Sequence, residues 1–561
     1  MNVQKYKRLA KENYAKPQVV EAPRGRIYSR DGTILADNVP SHSIVIDSIH
    51  ISEEEYKELY SLLNTHCYTI NNVHFSVICM IEEHKEKFPS VSIRACPRRR
   101  YPNSEVFSHL LGYTSEISKQ ELKLYPGYRL GTTIGKSAIE KNYEEFLRGK
   151  DGTRYIEVDA RGRELDLLSY TSPEPGCDVL LNIDADLQIF AYEILPDRGA
   201  CVAMNPKNGE VLLWVSKPGF NPNLFSGGIP SEVWGQWKED SLSPLWDRVL
   251  KGCFPPASIF KLVTAATGLE KGIVTPYTKQ PVSCKGSITI GRRNFRCWET
   301  HGHLNLVDAI IHSCDVYFYQ LGIEIGVEAL MSQANKIGLG RKTGVDIPGE
   351  LAGLIPSKKW YDKRYGRGRW SEGISANLSV GQGEILTSPL QILYFVSGIA
   401  NSRALYTPRI VARVLNPSGE EIFSSTPHSR NIPWSAETIE VLRQGMLGVV
   451  EELDGTGRLA RVPEIKVAGK TGTAQNPHGE HHAWFVAFAP YDEPEICVVV
   501  FVENGGMGGS VAAPIAGKIL RKFFHKDVLP ISNVIHVGDS RSDTTTNISL
   551  KPRINTDEHK E

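Results

Sequence analysis

Ser258 and Lys261 stand three residues apart in FPPASIFKLVTAATGLEKG, behind two prolines that favour a helix starting there. At that separation the two side chains share one helical face. A serine hydroxyl is a poor nucleophile until a neighbour removes its proton, and a lysine held near a helix N-terminus can do so once its own proton is loosened. The amides of the first turn can also stabilise an oxyanion. Two further triplets follow. Ser313-Cys314-Asp315 precedes VYFYQLG, which puts Ser313 and Asp315 at a turn into an aromatic-rich helix. IKVAGKTGTAQ sets Lys470, Thr471, Gly472 and Thr473 on an edge strand, where the glycine lets a substrate backbone lie close. A second copy, Lys342-Thr343-Gly344, lies in the Gly/Pro-bounded loop GLGRKTGVDIPGE and has a turn role.

Cysteine and histidine supply a second constellation. Cys284, Cys297, His301 and Cys314 are spaced C-x12-C-x3-H-x12-C, and these residue types are the preferred ligands of tetrahedral zinc. His303 competes with His301 for the nitrogen position. Arg292, Arg293 and Arg296 surround Cys297 in a segment with little apolar material, so simple burial of that thiol is hard to motivate. The seven other cysteines are expected to be buried apolar thiols.

These residues need a large scaffold, and the chain provides one. Its 561 residues allow three to four domains at about 150 residues each. Hydrophobic residues make up 41% and charged residues 23%, which sets aside fibrous and wholly disordered readings. The 64 Lys and Arg cancel the 64 Asp and Glu, so no net field favours nucleic acid or an anionic membrane surface. No run approaches the roughly 18 apolar residues of a spanning helix. ICVVVFV, from Ile496 to Val502, has the length of a buried strand. MNVQKYKRLAKENYAK lacks the apolar region of a signal peptide.

Along the chain, residues 1–22 read as an exposed leader, and RGRIYSRDGTILADN as a hairpin around Asp31-Gly32. Ser52 caps a short helix opened by Glu53, Glu54 and Glu55. Residues 131–152 predict a helix ended by Gly149, then a strand and a polar boundary from Asp166 to Gly176. From Asp178 a helix-plus-sheet domain begins, with a hairpin turning at Asn208-Gly209, last strands at 483–490 and 495–505, and a helix from Ala512 to Phe524. Residues 536–561 read as a disordered tail.

The three triplets together match the S-x-x-K, S-x-N-like and K-T-G series of β-lactamases and penicillin-binding proteins. The chain resembles the class B penicillin-binding proteins, and more narrowly the penicillin-binding protein 2, elongation-type transpeptidases. PRGRIYSRDGTILADN and GKSAIEKNYEEFLRGKDG resemble the pedestal motifs of that family; HGHLNLVDAIIHSCDVYFYQLG, NLSVGQGEILTSP and HHAWFVAFAP resemble its catalytic domain. Asp315, in place of asparagine, is similar to the elongation subfamily rather than to division-type relatives.

The resemblance implies an α+β multidomain fold: a β-rich pedestal over 23–175 with a head insertion at about 50–125, then a transpeptidase domain over 176–530. It implies that Ser258 attacks the carbonyl between the terminal D-alanines of a peptidoglycan stem peptide. Lys261 would take the proton, Ser313 would return one to the leaving D-alanine, and Asp315 would complete the motif. Lys470 and Thr471 would bind the terminal carboxylate, and the Ser258 and Thr473 amides would form the oxyanion hole. β-Lactams would acylate Ser258, and no cofactor would be needed for catalysis. Some elongation-type members carry zinc beside the S-x-D motif, with aspartates among the ligands, so a structural Zn²⁺ is implied with Cys284 and Cys297 as substitutions. Implied partners are a SEDS-type glycosyltransferase and the rod-complex scaffold. The implied location is the periplasm, with a single-pass inner-membrane anchor preceding KYKRLAKENY. A division-type transpeptidase is the alternative, followed by a β-lactam sensor or β-lactamase, neither of which would need the region before residue 176.

Overall fold

The computed structural model describes residues 15–46, 51–63, 69–70, 73–158, 164–227, 229, 231–367 and 370–524. The amino-terminal region is built on strands that are only partly buried. β1 (Ala15–Val20) pairs antiparallel with a later strand, Val20 facing Gly152. That is a correction to the leader, whose last residues enter a sheet because Val19 and Val20 have a partner there. The leader's first fourteen residues lie outside the described ones. β2 (Ile27–Tyr28) and β3 (Ile34–Ile46) form the expected hairpin, with Gly32 at φ +84° in its turn.

The head is hung on β3. α1 (Glu53–Leu63), which Ser52 caps through the Glu55 amide, and α2 (Phe75–Glu83) lead into β4 (Val91–Arg100). β4 pairs with β3 from Asp37 opposite Arg100 to Ile46 opposite Val91. Ile44, Leu59, Ile78, Ile81 and Phe88 fill a small separate core. Past residue 100 the chain returns to the main body, where Phe107, Leu110 and Leu111 are buried in the central core. The compact head is therefore shorter than the 50–125 insertion.

The expected helix over 131–149 is broken into a strand at Thr133–Gly135 and two helical pieces, α3 (Ala138–Asn142) and α4 (Glu144–Leu147). The first turn is lost because Thr132, Thr133 and Ile134, between Gly131 and Gly135, disfavour helix and Thr133–Gly135 pairs antiparallel with Thr114–Glu116; the helical pieces carry two acids into a buried cluster. Glu140 is fully buried and receives Arg24 Nε at 2.6 Å, Arg99 Nε at 2.7 Å and the Tyr101 hydroxyl at 3.1 Å. Glu144 receives Arg24 Nη2 at 2.7 Å and the Gly135 amide at 2.8 Å. The two arginines hold the Glu140 carboxyl below its ordinary range against the opposing effect of burial, which is the larger single influence. The PRGR and GKSAIEKNYEE motifs are thus two halves of one buried ion network, which locks the pedestal; buried pairs of this kind cost about 3–5 kcal/mol when one partner is removed. Gly25 belongs to the same lock, since a Cβ there would lie 1.8 Å from the Cys177 carbonyl oxygen.

β5 (Gly152–Val158) is followed by β6 (Glu164–Thr171), an ordered strand where a polar boundary was expected. β7 (Asp178–Leu181) follows. It joins Ile27–Tyr28 in parallel on one side and Val411–Leu415 antiparallel on the other, so one sheet spans the expected domain boundary. The first helix of the domain is α5 (Ala185–Ile194), where the Asp184 side chain accepts the Leu187 amide.

The carboxy-terminal domain is built on a five-stranded antiparallel sheet covered on both faces. β8 (Gly199–Met204) and β9 (Val211–Lys217) form the Asn208-Gly209 hairpin. α6 (Lys261–Glu270) follows the first triplet. A small hairpin follows, β10 (Ser287–Ile290) with β11 (Arg293–Arg296). Next come α7 (Asp315–Ile325), α8 (Lys358–Tyr365), α9 (Glu372–Ser379) and the fully buried α10 (Pro389–Ala400). The sheet is completed by β11's successors β12 (Ala468–Ala474), β13 (His482–Ala489) and β14 (Ile496–Val502), in the order β9-β8-β14-β13-β12. Cys497, Val499 and Phe501 face the core shared with α10, while Val498, Val500 and Val502 face α11 (Ala512–Phe524). Two covered faces explain the uninterrupted apolar run. β12, which carries Lys470, is the sheet's edge, as expected. No helix among the described residues is long and apolar enough to cross a membrane, and the expected tail lies outside them.

Candidate active site

Pro255 and Pro256 deliver the chain into a single 3₁₀ turn, Ala257–Phe260, and only then into α6. Ala257 is held at φ +50°, with its amide donating to the Gly381 carbonyl at 3.0 Å. Gly381 permits this approach, because a Cβ there would sit 2.1 Å from the Ala257 oxygen. Left-handed backbone at a non-glycine residue is strained by roughly 1–3 kcal/mol, and here it places the half-buried Ser258 at the front of the turn.

The three triplets converge. Lys261 has no exposed surface, and its ammonium reaches the Ser313 carbonyl at 2.7 Å, the Ser313 hydroxyl at 3.1 Å and Asp315 Oδ1 at 2.8 Å. Lys470, equally buried, donates to the same Ser313 hydroxyl at 2.9 Å and to the Thr471 carbonyl at 3.2 Å. One hydroxyl therefore lies between two amines, presented by Ser313 at φ +52°. Burial first, and then the Lys261 cation, push the Lys470 pKa well below the ordinary lysine value. Burial raises the Asp315 carboxyl while Lys261 pulls it back. Such a set can pass a proton from amine to hydroxyl to amine at the edge of a strand.

Gly472 also has close neighbours within the protein: the position its side chain would take is 3.3 Å from the Pro256 oxygen and 3.1 Å from Trp484 Cβ, so the missing Cβ lets the strand close on the Ala257–Phe260 turn. Thr471 Oγ1 donates to Thr456 Oγ1 at 3.0 Å, and the Gly508 amide donates to Thr473 Oγ1 at 3.2 Å. Gln382 ties the turn to the strand by donating to the Thr473 carbonyl at 3.1 Å. Thr456, Gln382 and Gly508 are contributions that sequence reasoning missed; only Gln382 had a signal, inside NLSVGQG. The other K-T-G stands apart, its Thr343 and Gly344 amides donating to Glu350 at 2.7 and 3.2 Å, which fits the turn role.

The Cys/His constellation also assembles. Ligand atoms of Cys284, Cys297, His301 and Cys314 all lie within 4.8 Å of one another. His301 Nδ1 is 3.6 Å from Cys284 Sγ and 3.5 Å from Cys297 Sγ. His303 is exposed and stands outside the group. The cluster abuts the second triplet, because the Asp315 amide donates to Cys297 Sγ at 3.3 Å. Of the other cysteines, Cys201 and Cys497 are buried as expected, but Cys79, Cys96, Cys177 and Cys253 are only partly so.

A strained serine turn, two lysines about one hydroxyl, a K-T-G edge strand and a sheet-built pedestal define a class B penicillin-binding protein. The family described as "Penicillin binding protein transpeptidase domain" matches residues 199–521, and "Penicillin-binding Protein dimerisation domain" matches residues 19–181. A peptidoglycan D,D-transpeptidase MrdA of Acinetobacter baumannii is 33% identical over 547 residues, covering 89% of this chain and 80% of the relative. The penicillin-binding protein PBP2 of Helicobacter pylori, solved in complex with MreC, superimposes with TM-score 0.80 at 29% identity, over 92% of this chain and all (100%) of that one. A chain solved in a study of the coordination of polymerization and crosslinking by a peptidoglycan synthase complex gives TM-score 0.73 at 30% identity, over 95% of each chain. The chain belongs to the penicillin-binding protein 2 family, the elongation-type peptidoglycan D,D-transpeptidases. It is a serine acyl-transfer enzyme, and the division-type alternative has no better support.

Proposed function

We propose that Ser258 carries the acyl group in this reaction. Its Oγ bonds to the penultimate D-alanine carbonyl carbon of a stem peptide, its proton passes to Lys261, which hands one on through the Ser313 hydroxyl to Lys470, and the terminal D-alanine leaves with a proton returned through Ser313. An acceptor amine from a neighbouring strand then attacks the ester, regenerating the Ser258 hydroxyl and forming the cross-link. Lys470 and Thr471 bind the terminal carboxylate, Asp315 positions Lys261, Gly472 brings the strand against the turn, and the amides of Ser258 and Thr473 receive the oxyanion. The observation that carries this reading is the Ser313 hydroxyl within 3.1 Å of both lysine amines. Incubating the full chain with a pentapeptide donor and an amine acceptor is expected to give a cross-linked product with release of one D-alanine, blocked by prior penicillin. D-Alanine release without any cross-link would make it a carboxypeptidase, and no release would remove the assignment.

Cys284, Cys297, His301 and Cys314 hold one structural Zn²⁺ in this reading. The fit rests on three sulfurs and one ring nitrogen already gathered, with His301 Nε2 buried and lacking a hydrogen bond among the described residues, so the ring is held by its other nitrogen. A closed set of four leaves no open position for water, so the metal would act as a clamp.

The domain works on the periplasmic face of the inner membrane, held by a single-pass anchor, with a SEDS-type glycosyltransferase and the rod-complex scaffold as partners. The support is the Helicobacter pylori relative solved with MreC and the relative from a synthase complex. Detergent extracts of cells expressing the tagged protein should yield a glycan polymerase and the scaffold on affinity capture. Recovery of the protein in the soluble cytoplasmic fraction, alone, would exclude this arrangement.

A further inference from the structure

The free side of β12 is already taken at one place by the protein itself. β12 ends its sheet, with β13 on one side and no strand among the described residues on the other. Within a strand the N–H and C=O of one residue point to the same side, and successive residues alternate. The Thr473 carbonyl and the Gln475 amide therefore share the open side, and one side chain holds both. Gln382 Nε2 donates to the Thr473 carbonyl at 3.1 Å, and Gln382 Oε1 accepts from the Gln475 amide at 3.3 Å. A single carboxamide thus closes the two hydrogen bonds that an added strand would make there.

The backbone behind that side chain is fixed. Gln382 stands between Gly381 at φ +70° and Gly383 at φ +82°. Its amide donates to the Asn377 carbonyl at 3.2 Å, and the Gly381 amide donates to the Leu378 carbonyl at 2.9 Å. Gly381 also receives the Ala257 amide, so this segment cannot drift without disturbing the Ala257–Phe260 turn. The side chain is under no such constraint. It is half-buried, Gln475 is exposed, and both contacts join neutral groups that water can satisfy in their place.

A peptide donor needs the same two groups. In the acyl-serine reading above, on which this inference rests, the terminal carboxylate lies at Lys470 and Thr471 and the scissile carbonyl at the Thr473 amide, so the donor runs antiparallel to β12. Residues paired in that register exchange both bonds. The N–H of the residue bearing the scissile carbonyl then falls on the Thr473 carbonyl, and the carbonyl of the residue two before it falls on the Gln475 amide. That amide carries one hydrogen, so Gln382 and the donor cannot both hold it.

We propose that Gln382 is a positioning residue that stands in for the donor backbone on the edge of β12 and is displaced when the donor docks. Before docking, the stand-in keeps β12 tied to the segment that seats Ala257. Its cost is that donor affinity is lowered by the fraction of molecules in which the edge is free.

The test compares wild type with Gln382→Met, which keeps the length of the side chain and removes both hydrogen-bonding atoms. D-Alanine release by the full chain from a pentapeptide is expected to gain about fivefold in kcat/KM, carried by KM rather than kcat. Acylation is measured in parallel with penicillin, whose amide N–H takes the place of the donor's, and with the same fused ring lacking the acylamino arm. The ratio of the first rate to the second should rise by a similar factor in the variant. A side chain that only braces β12 would give slower reaction with all three ligands and an unmoved ratio, and that result overturns the proposal. A crystal structure of the wild-type chain acylated by a penicillin whose arm is a stem-peptide fragment should show Gln382 swung off the Gln475 amide; both bonds intact in that adduct would also overturn it. A wild-type chain that penicillin does not acylate overturns the serine reading itself, and this proposal with it.

Discussion

Ser258→Ala protein exposed to saturating penicillin keeps its unmodified intact mass, while the wild-type chain gains the mass of one penicillin. The loss of acylation rate is expected to be on the order of 10³- to 10⁶-fold, the range seen when the nucleophile of a serine enzyme is removed. The substitution deletes one partly exposed hydroxyl and leaves the strained Ala257, the Gly381 contact and both lysines in place, so loss of fold does not account for the result. An adduct on the variant would move the nucleophile elsewhere. The same assay has a pH dependence of known sign. Lys470 has a folded pKa below that of an exposed lysine, because burial and the Lys261 cation disfavour its charged form. Acidification through that folded pKa places a second cation on the Ser313 hydroxyl. Between the folded and unfolded values the unfolded chain binds more protons, so stability rises with pH and is lost as pH falls. The stability owed to this group is expected to decline as pH falls from the ordinary lysine value of 10.5 toward the folded pKa, and the acylation rate to fall as pH passes through that folded pKa, well below 10.5. An acylation rate flat from pH 10 down to the acid denaturation point would contradict this.

How much of this was legible depended on the range of the interaction. Ser258 with Lys261, and the covered strand Ile496–Val502, are local patterns, so spacing and apolar periodicity sufficed for them. The convergence of Lys261 and Lys470 on Ser313 joins residues 52 and 157 positions away, which no periodicity reports; the family resemblance supplied it. The broken helix over 131–149 failed for a related reason. Gly131, Thr132, Thr133, Ile134 and Gly135 disfavour helix, and the partner of Thr133–Gly135 is the distant segment Thr114–Glu116, so the strand shows only in the pairing. The leader was misread at Ala15–Val20 because an edge strand with polar neighbours resembles an exposed segment until its partner is known. The strand rule points from Gly472 to a close backbone but does not name it, and the fold adds the protein's own Pro256 carbonyl as one such neighbour.

Replacing Cys314 by serine should release one equivalent of zinc, lower the melting temperature and slow penicillin acylation in the same protein. A zinc ion with thiolates at about 2.3 Å holds its ligand atoms roughly 3.5–3.8 Å apart, and His301 Nδ1 already lies 3.6 and 3.5 Å from two of the sulfurs. The remaining separations, all within 4.8 Å, need only a small contraction. The Cys314 thiol and the His301 ring hold the Cys297 thiol below its ordinary range, so a thiolate is ready for a metal. The segment 284–302 has few buried side chains of its own, with Cys284 the only fully buried hydrophobic one, and the clamp therefore supplies order that a core would otherwise give. Apparent zinc affinities of roughly 10–16 kcal/mol in zinc-finger peptides show the scale available, and one ligand of four forfeits a large part of it. Cys314 lies between Ser313 and Asp315, and the Asp315 amide bonds Cys297 Sγ, so loosening the clamp displaces the hydroxyl that both lysines share. Cys497→Ala, within the sheet, should cost stability through its cavity yet leave zinc content and acylation unchanged. His301→Ala should reproduce the Cys314→Ser result and His303→Ala should not. Purified wild-type protein with no zinc by elemental analysis, and acylation undiminished by a chelator, would reduce the four residues to ordinary thiols beside a loop histidine.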